Sequence, residues 1–354
     1  MKNKDKSQKI ILPILSIVLA FILGGLLLLA IGQNPIAAYY FLFKGALGNM
    51  GAFSETIIKA IPLIFTGLAA TFAYRCGLFN LGGEGQFIMG AIASIAFVMA
   101  VGDKINPKLL LVLSIIIGTI AGGLWGLIPG LLKAYLSLNE MILTILLNYI
   151  ATLFMGYLFA GPLMEANIPQ TAAVPTGARL AHLIPGTRVH IGIILALLCA
   201  LITYYFLFHT SKGFQLRAIG LNQDASKVSG FEVKKIMILS FVISGAIAGF
   251  GGAVELHGTS FRLMQGFAKG FGFDGVAIAL IGQLNPLGTV IAAFFFAILR
   301  TGANTMQIAT GVPTSVVGII QGLVIVFIIT STAISNRGAF KKLNFKKNKK
   351  EDTI

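Results

Sequence analysis

Glu84 stands in the run GLFNLGGEGQ (residues 77–86), between Asn80 and Gln86, and the sixteen residues that follow carry no charge. A carboxylate placed there can do two kinds of work. It can accept hydrogen bonds from the hydroxyls or N–H groups of a neutral solute, with the two carboxamides donating and accepting beside it. It can instead accept N–H bonds from the glycine-rich backbone at a helix start, where the helix dipole favours negative charge. Uncharged hydrogen-bonding side chains recur inside other apolar stretches, among them Thr144, Asn148, Ser244, Gln283, Asn304 and Gln321, and some of the 27 Phe are available to contact a ring. We assign Asn80, Glu84, Gln86, Asn148, Ser244, Gln283 and Asn304 to a candidate solute pathway. Bond-making chemistry finds no comparable set. His182, His190, His209 and His257 are far apart, and no nucleophile stands beside a base. Cys76 and Cys199 lack the spacing of a disulfide framework or a metal site. No enzyme activity and no bound cofactor are expected.

The elements that must carry these groups are membrane helices. The 354 residues are 56% hydrophobic and 11% charged, with a mean hydropathy of +0.88, whereas soluble domains carry about 25% charged residues. Ten apolar windows, at about 10–31, 57–74, 86–101, 109–131, 141–160, 191–208, 236–257, 271–284, 287–304 and 313–332, are read as spans of one all-α transmembrane bundle. The pair 271–284 and 287–304 is separated only by a minimal NPLG and is expected to form a helical hairpin or a re-entrant element. The first window is too long for a signal peptide's apolar core, so an uncleaved first helix is expected. The net charge of +15 comes in short clusters between windows, not as one basic face, which argues against nucleic acid. An even number of spans with both termini cytoplasmic puts most of these clusters inside, including a basic tail at 336–354. Glu84, Glu255, Asp274 and Arg300 fall at membrane depth, where each charge costs about 2.5–3.5 kcal/mol and tends to face the bundle interior.

Two loops exceed the rest. The outer one, 161–190, holds four prolines and cannot be one regular helix; it either caps the outer mouth, docks a partner or merely connects. The inner one, HTSKGFQLRAIGLNQDASKVSGFEVKK (209–235), places Ala218, Ala225 and Ser226 between glycines that punctuate short helices. Small residues allow another surface to approach closely. This loop resembles the cytoplasmic coupling segment of ABC importer permeases, in which a short helix fits a groove of the ATPase subunit. GLFNLGGEGQFIMGA and LRAIGLNQDASKVSG, in that order, resemble the branch importing branched-chain amino acids, simple sugars and nucleosides, most closely its nucleoside group.

That resemblance implies a multi-pass subunit of the bacterial cell membrane, in contact with lipid. The ATPase would be contacted through Arg217, Gly220, Asn222, Ala225, Ser226 and Gly230. It further implies a second, related permease, an extracellular substrate-binding lipoprotein, and ATP and Mg²⁺ used only by the ATPase subunits. The chain has no G-x-x-x-x-G-K-[ST] loop of its own. On this view Glu84 would meet ribose hydroxyls or base N–H groups, or else organise its glycine-rich break. LGGEGQFIMGAI from residue 81 and FGFDGVAIALIG from 271 share G-x-[ED]-G before an apolar run, opening spans of opposite sense, as an inverted repeat with broken helices would. Competing readings are the same permease carrying ribose or another monosaccharide, an ion-coupled transporter using Glu84 and Asp274, and a membrane scaffold.

Overall fold

A computed structural model describes residues 2–102 and 104–331, so the basic tail expected at 336–354 lies outside them. The helices are α1 (Lys2–Ala30), α2 (Pro35–Leu47), α3 (Met50–Arg75), α4 (Gly83–Val101), α5 (Pro107–Leu136), α6 (Glu140–Ala160), α7 (Gly192–His209), α8 (Ser211–Leu221), α9 (Gln223–Val228), α10 (Val233–Glu255), α11 (Phe271–Ile281), α12 (Pro286–Thr310) and α13 (Ser315–Ser331). A π-helical turn, Leu256–Ser260, continues α10. Among the described residues seven helices, α3 to α7, α10 with its π turn, and α12, are long and apolar enough to cross a membrane. Leu15–Ala30, α11 and α13 are apolar but shorter. The sequence windows passed over α2. It is a 13-residue helix started by the Asn34 side chain, which accepts from the N–H groups of Ile36 and Ala37, with Pro35 at the first helical position.

The chain forms two compact units, one from the ends of the chain (through Gly48, and from Ile298 onward) and one from Asn49–Ala297. In the first, α2 meets α12 where Gly302 lies against the Leu42 backbone and Gly45 against Thr305. Tyr39 there donates its hydroxyl to Phe21 O at 2.6 Å. In the second, α3 is buried without interruption from Ala60 to Tyr74, and α4, α5 and α10 meet through glycine. Gly90 abuts Gly249, Gly118 abuts Gly90, and Gly122 faces Gly245 and Gly249. With only hydrogen at these positions the three backbones touch directly, which replaces hydrophobic drive by van der Waals contact inside lipid. A Cβ on Gly122 would stand 2.6 Å from Gly249 Cα, with no flexible side chain there to yield.

The 161–190 segment is strapped to the chain that follows α10. Thr171 N donates to Leu263 O (3.0 Å), Val174 N to Phe261 O (2.8 Å) and Leu180 N to His257 O (2.9 Å). Arg262 pairs with Glu165 at 3.2 Å, and the Arg179 guanidinium lies 4.2 Å from the Phe261 ring centre. His257 is fully buried beneath the strap: its Nδ1–H donates to Ala178 O (2.8 Å), leaving Nε2 to face the hydroxyls of Ser94 (3.0 Å) and Ser114 (2.8 Å). The segment is thus an ordered cap over the end of α10. His190, also fully buried, accepts from Gly192 N through Nδ1 at 3.1 Å, so Nε2–H points to Thr259 at 3.3 Å. Burial, with the charges of His182 and Arg188 adding to it, pulls its pKa from 6.5 down to about 4.

Two outcomes follow from this packing. Gly122→Val forces backbone apart at the three-helix contact and should destabilise the detergent-solubilised protein by about 1–3 kcal/mol, read as a lowered unfolding temperature. Because the folded state releases the His190 proton that the unfolded chain binds, stability should fall as pH drops from 6.5 towards 4. His190→Gln should flatten that part of the curve of unfolding temperature against pH, whatever it does to the plateau.

Candidate functional site

Between α3 and α4 the chain is not helical. It leaves α3 at Arg75, turns at Gly77 (φ +73°) and reaches α4 through residues 78–82, with Leu78, Asn80 and Gly82 buried. Non-helical backbone in a membrane is tolerated only when its N–H and C=O groups find partners inside the protein. Asn148 on α6 supplies two at once, donating Nδ2–H to Leu81 O and accepting Gly85 N at Oδ1, both at 2.8 Å. Thr144, one turn earlier, accepts Leu81 N at 3.3 Å. Asn80 accepts Gly82 N at 2.9 Å and donates to Gln86 Oε1 (3.0 Å) and Ser244 Oγ (2.8 Å). Ser244 in turn donates to Ala69 O at 2.6 Å. Asn80, Gln86, Asn148 and Ser244, from the break and three helices, therefore form one buried network, and their polar atoms are engaged with the backbone and each other.

Glu84 lies beside this network and reaches across the fold. Its carboxylate accepts Gly270 N at 2.9 Å and Gly272 N at 2.5 Å, the first amides of α11. Gly270 takes φ +77°, and a Cβ on Gly272 would collide with the Glu84 backbone, so the starts of α4 and α11 meet in close contact. From that point α4 runs towards the cap, where Ser94 meets His257. In the other direction α11, about 16 Å long, ends in a turn held by Arg75. The Arg75 side chain donates Nε–H to Leu284 O at 2.7 Å and Nη2–H to Gln283 O at 3.4 Å. The full-length α4 and the short α11 thus start at one place and leave oppositely, and each of the two G-x-[ED]-G sequences lies at one of those starts. The short α11 and the first turns of α12 form the expected hairpin, closed where Gly282 lies against Gly288 and Thr289.

Not every pathway candidate lies in this cluster. Gln283 sits at the far end of α11 from Glu84, in the turn where it and Leu284 adopt φ +54°. Asn304 belongs to the other compact unit and is exposed there. Glu255, at the cap end of α10, is buried and accepts from Ser260 Oγ at 3.4 Å. Arg75 is absent from the pathway candidates, although its place directly before the break was the available signal.

The 209–235 segment folds as two short helices. Thr210 caps α8 by accepting Gly213 N (3.0 Å), and Asn222 caps α9 by accepting Ala225 N (3.0 Å). Ser226 is buried and bonded to Asn222 O at 2.8 Å, whereas Ala225 is exposed with Leu221 (88%) and Val228 (90%). Gly230 takes φ +81° and faces open space. At the other side of α8, Gly220 packs on the backbone of Arg75 and Gly77, and Arg217 lies 5.1 Å from the ring centre of Phe208. Ala225 and Gly230 thus face outward, while Gly220 and Arg217 face the bundle.

Removing the groups that serve the break should act on folding before it acts on solute. Asn148→Ala strands one buried carbonyl and one buried amide and should cost about 1–3 kcal/mol. Glu84→Gln keeps one acceptor but turns an N–H₂ towards a backbone N–H, and should cost about 2 kcal/mol. Both losses are measurable as lowered unfolding temperature and reduced monodisperse protein in detergent.

The sequence has relatives. The family model described as branched-chain amino acid transport system / permease component matches residues 52–329. The chain is 39% identical over 333 residues to the guanosine ABC transporter permease protein NupP of Bacillus subtilis, covering 92% of this chain and 94% of that protein. It is 37% identical over 340 residues to the nucleoside ABC transporter permease protein NupB of Lactococcus lactis subsp. cremoris, covering 92% of each. It is also 35% identical over 331 residues to the glucose ABC transporter permease protein TsgB13 of Haloferax volcanii, covering 90% of this chain and 87% of that protein. No solved structure gives a significant match. With a multi-helix apolar bundle, a broken helix pair and a family match over most of its length, the chain belongs to the permease components of the branched-chain amino acid transport system family.

Proposed function

We propose that this permease carries nucleosides inward across the bacterial cell membrane as part of an ABC importer. The observation that carries the reading is the similarity to nucleoside-named permeases over nine-tenths of the chain. The site is compatible with a neutral cargo: the polar groups around the break are carboxamides and hydroxyls, and Glu84 is engaged by backbone amides. In this reading Asn80, Glu84, Gln86, Asn148 and Ser244 shape the pathway by holding the break, and Gln283 contributes from the turn at the far end of α11.

The α8–α9 segment faces the cytoplasm and docks an ATPase subunit through Ala225 and the exposed Leu221 and Val228, with Arg217, Gly220, Asn222, Ser226 and Gly230 shaping that surface. ATP and Mg²⁺ are used on the ATPase. The 161–190 cap faces outward and receives an extracellular binding lipoprotein, and a second, related permease completes the membrane part. A monosaccharide is the second reading, favoured by the similarity to a glucose-named permease.

Two measurements test this. In cells or proteoliposomes holding the whole system, uptake of labelled guanosine should be competed by other nucleosides and not by glucose or ribose; competition by free sugar alone would favour the second reading. Ala225→Arg, at an exposed position, should leave membrane insertion intact and reduce ATP-dependent uptake at least about tenfold, a docking loss of the size an interface hot spot gives. Uptake at the unaltered level in that variant would remove the docking assignment.

A further inference from the structure

Arg75 stands where three parts of the fold meet. Its backbone carbonyl and the Gly77 amide of the following turn form the surface on which Gly220 of α8 packs, so closely that a Cβ on Gly220 would collide with Arg75 O and stand 2.9 Å from Gly77 N. Its guanidinium lies 5.3 Å from the ring centre of Phe208, the same ring that Arg217 of α8 approaches at 5.1 Å. The fork of that guanidinium then donates to Leu284 O (2.7 Å) and Gln283 O (3.4 Å), the turn that ends α11. At its other end α11 is held by Glu84 at the start of α4. A continuous series of contacts therefore runs from α8 through Arg75 and the 283–284 turn along α11 to the break.

We propose that Arg75 is a positioning residue that transmits displacement of the α8–α9 segment to the half-helix α11, and so sets whether the break beside Glu84 admits solute. The chemistry suits the role. A guanidinium presents several donors in a rigid fork and stacks on an aromatic face, so it can grip a pair of backbone carbonyls and a ring together. A lysine ammonium at the same place keeps the charge and reaches one carbonyl but not both. The grip is on main-chain oxygens, so it follows the 283–284 turn itself whatever side chains stand there. The two cations on Phe208 repel each other, so the ring is a shared seat that α8 leaves at low cost when pulled. This inference rests on reading α8–α9 as the segment that docks the ATPase.

The test uses the assembled importer in proteoliposomes, with solute uptake and ATP hydrolysis measured on the same preparation. Arg75→Lys should assemble and hydrolyse ATP at a rate near that of the unaltered complex, while nucleoside moved per ATP falls about tenfold, within the reach of coupling residues. Phe208→Leu, which removes the shared ring and leaves the hydrogen bonds, should lower the same ratio by a smaller factor. A purely structural Arg75 would lower uptake and hydrolysis together, in proportion to folded complex, and leave the ratio unchanged; that result in both variants overturns the proposal. Should Arg75→Lys fail to fold, the ratio in Phe208→Leu decides. Failure of the docking reading is separable: Ala225→Arg would then retain full uptake, whereas failure of this inference alone leaves Ala225→Arg uptake reduced at least about tenfold and the Arg75→Lys ratio normal.

Discussion

A polypeptide in hydrocarbon has no water to satisfy its amides, and the break at residues 76–82 lives under that constraint. Everything around it answers to the same requirement. Asn148 pairs an N–H and a C=O on either side of the α4 start, Asn80 closes onto Gly82 and Gln86, and Ser244 ties the cluster to α3. The carboxylate of Glu84 serves the amides of a second broken element, so one interruption in the helical ladder supports the other. The glycine contacts of α4, α5 and α10 belong to the same economy, because only close approach brings Ser244 of α10 within reach of Asn80.

The inverted arrangement of α4 and α11 gives this part of the chain two directions at one point. A continuous helix transmits force along its axis and has no place to bend; two separate helices that share a start have a joint. The joint is held by hydrogen bonds to main-chain amides, which position α11 without fixing the side chains around it. At the cap end His257 and the strap fix α10, and at the other end α8 rests on the Arg75–Gly77 corner. The joint between α4 and α11 lies between those two anchored ends.

Much of the helical plan was legible from hydropathy alone, because spans of about 20 apolar residues have few other places to be. The helix α2 was not, since 13 residues between two longer apolar runs are lost in a window, although Asn34-Pro35 carried a readable start signal. The association of Asn80, Gln86, Asn148 and Ser244 followed from residue type at depth. The same criterion selected Gln283 and Asn304, and it gives no information on which way a side chain points or which unit it joins. Glu84 was readable as a group that organises glycine-rich backbone, but the amides it serves lie 186 and 188 residues away, and only the faint echo of G-x-[ED]-G hinted at them. The strap of 161–190 includes one isolated bridge to the chain after α10, Gln170 with Met264, too short to leave a strand pattern.

The Asn148 carboxamide carries a wider implication. One of its two N–H donors and one of its two oxygen lone pairs are spent on the main chain at either side of the α4 start. The backbone thereby fixes the plane of this carboxamide from both sides, so any shift of residues 81–85 turns the Asn148 side chain with it.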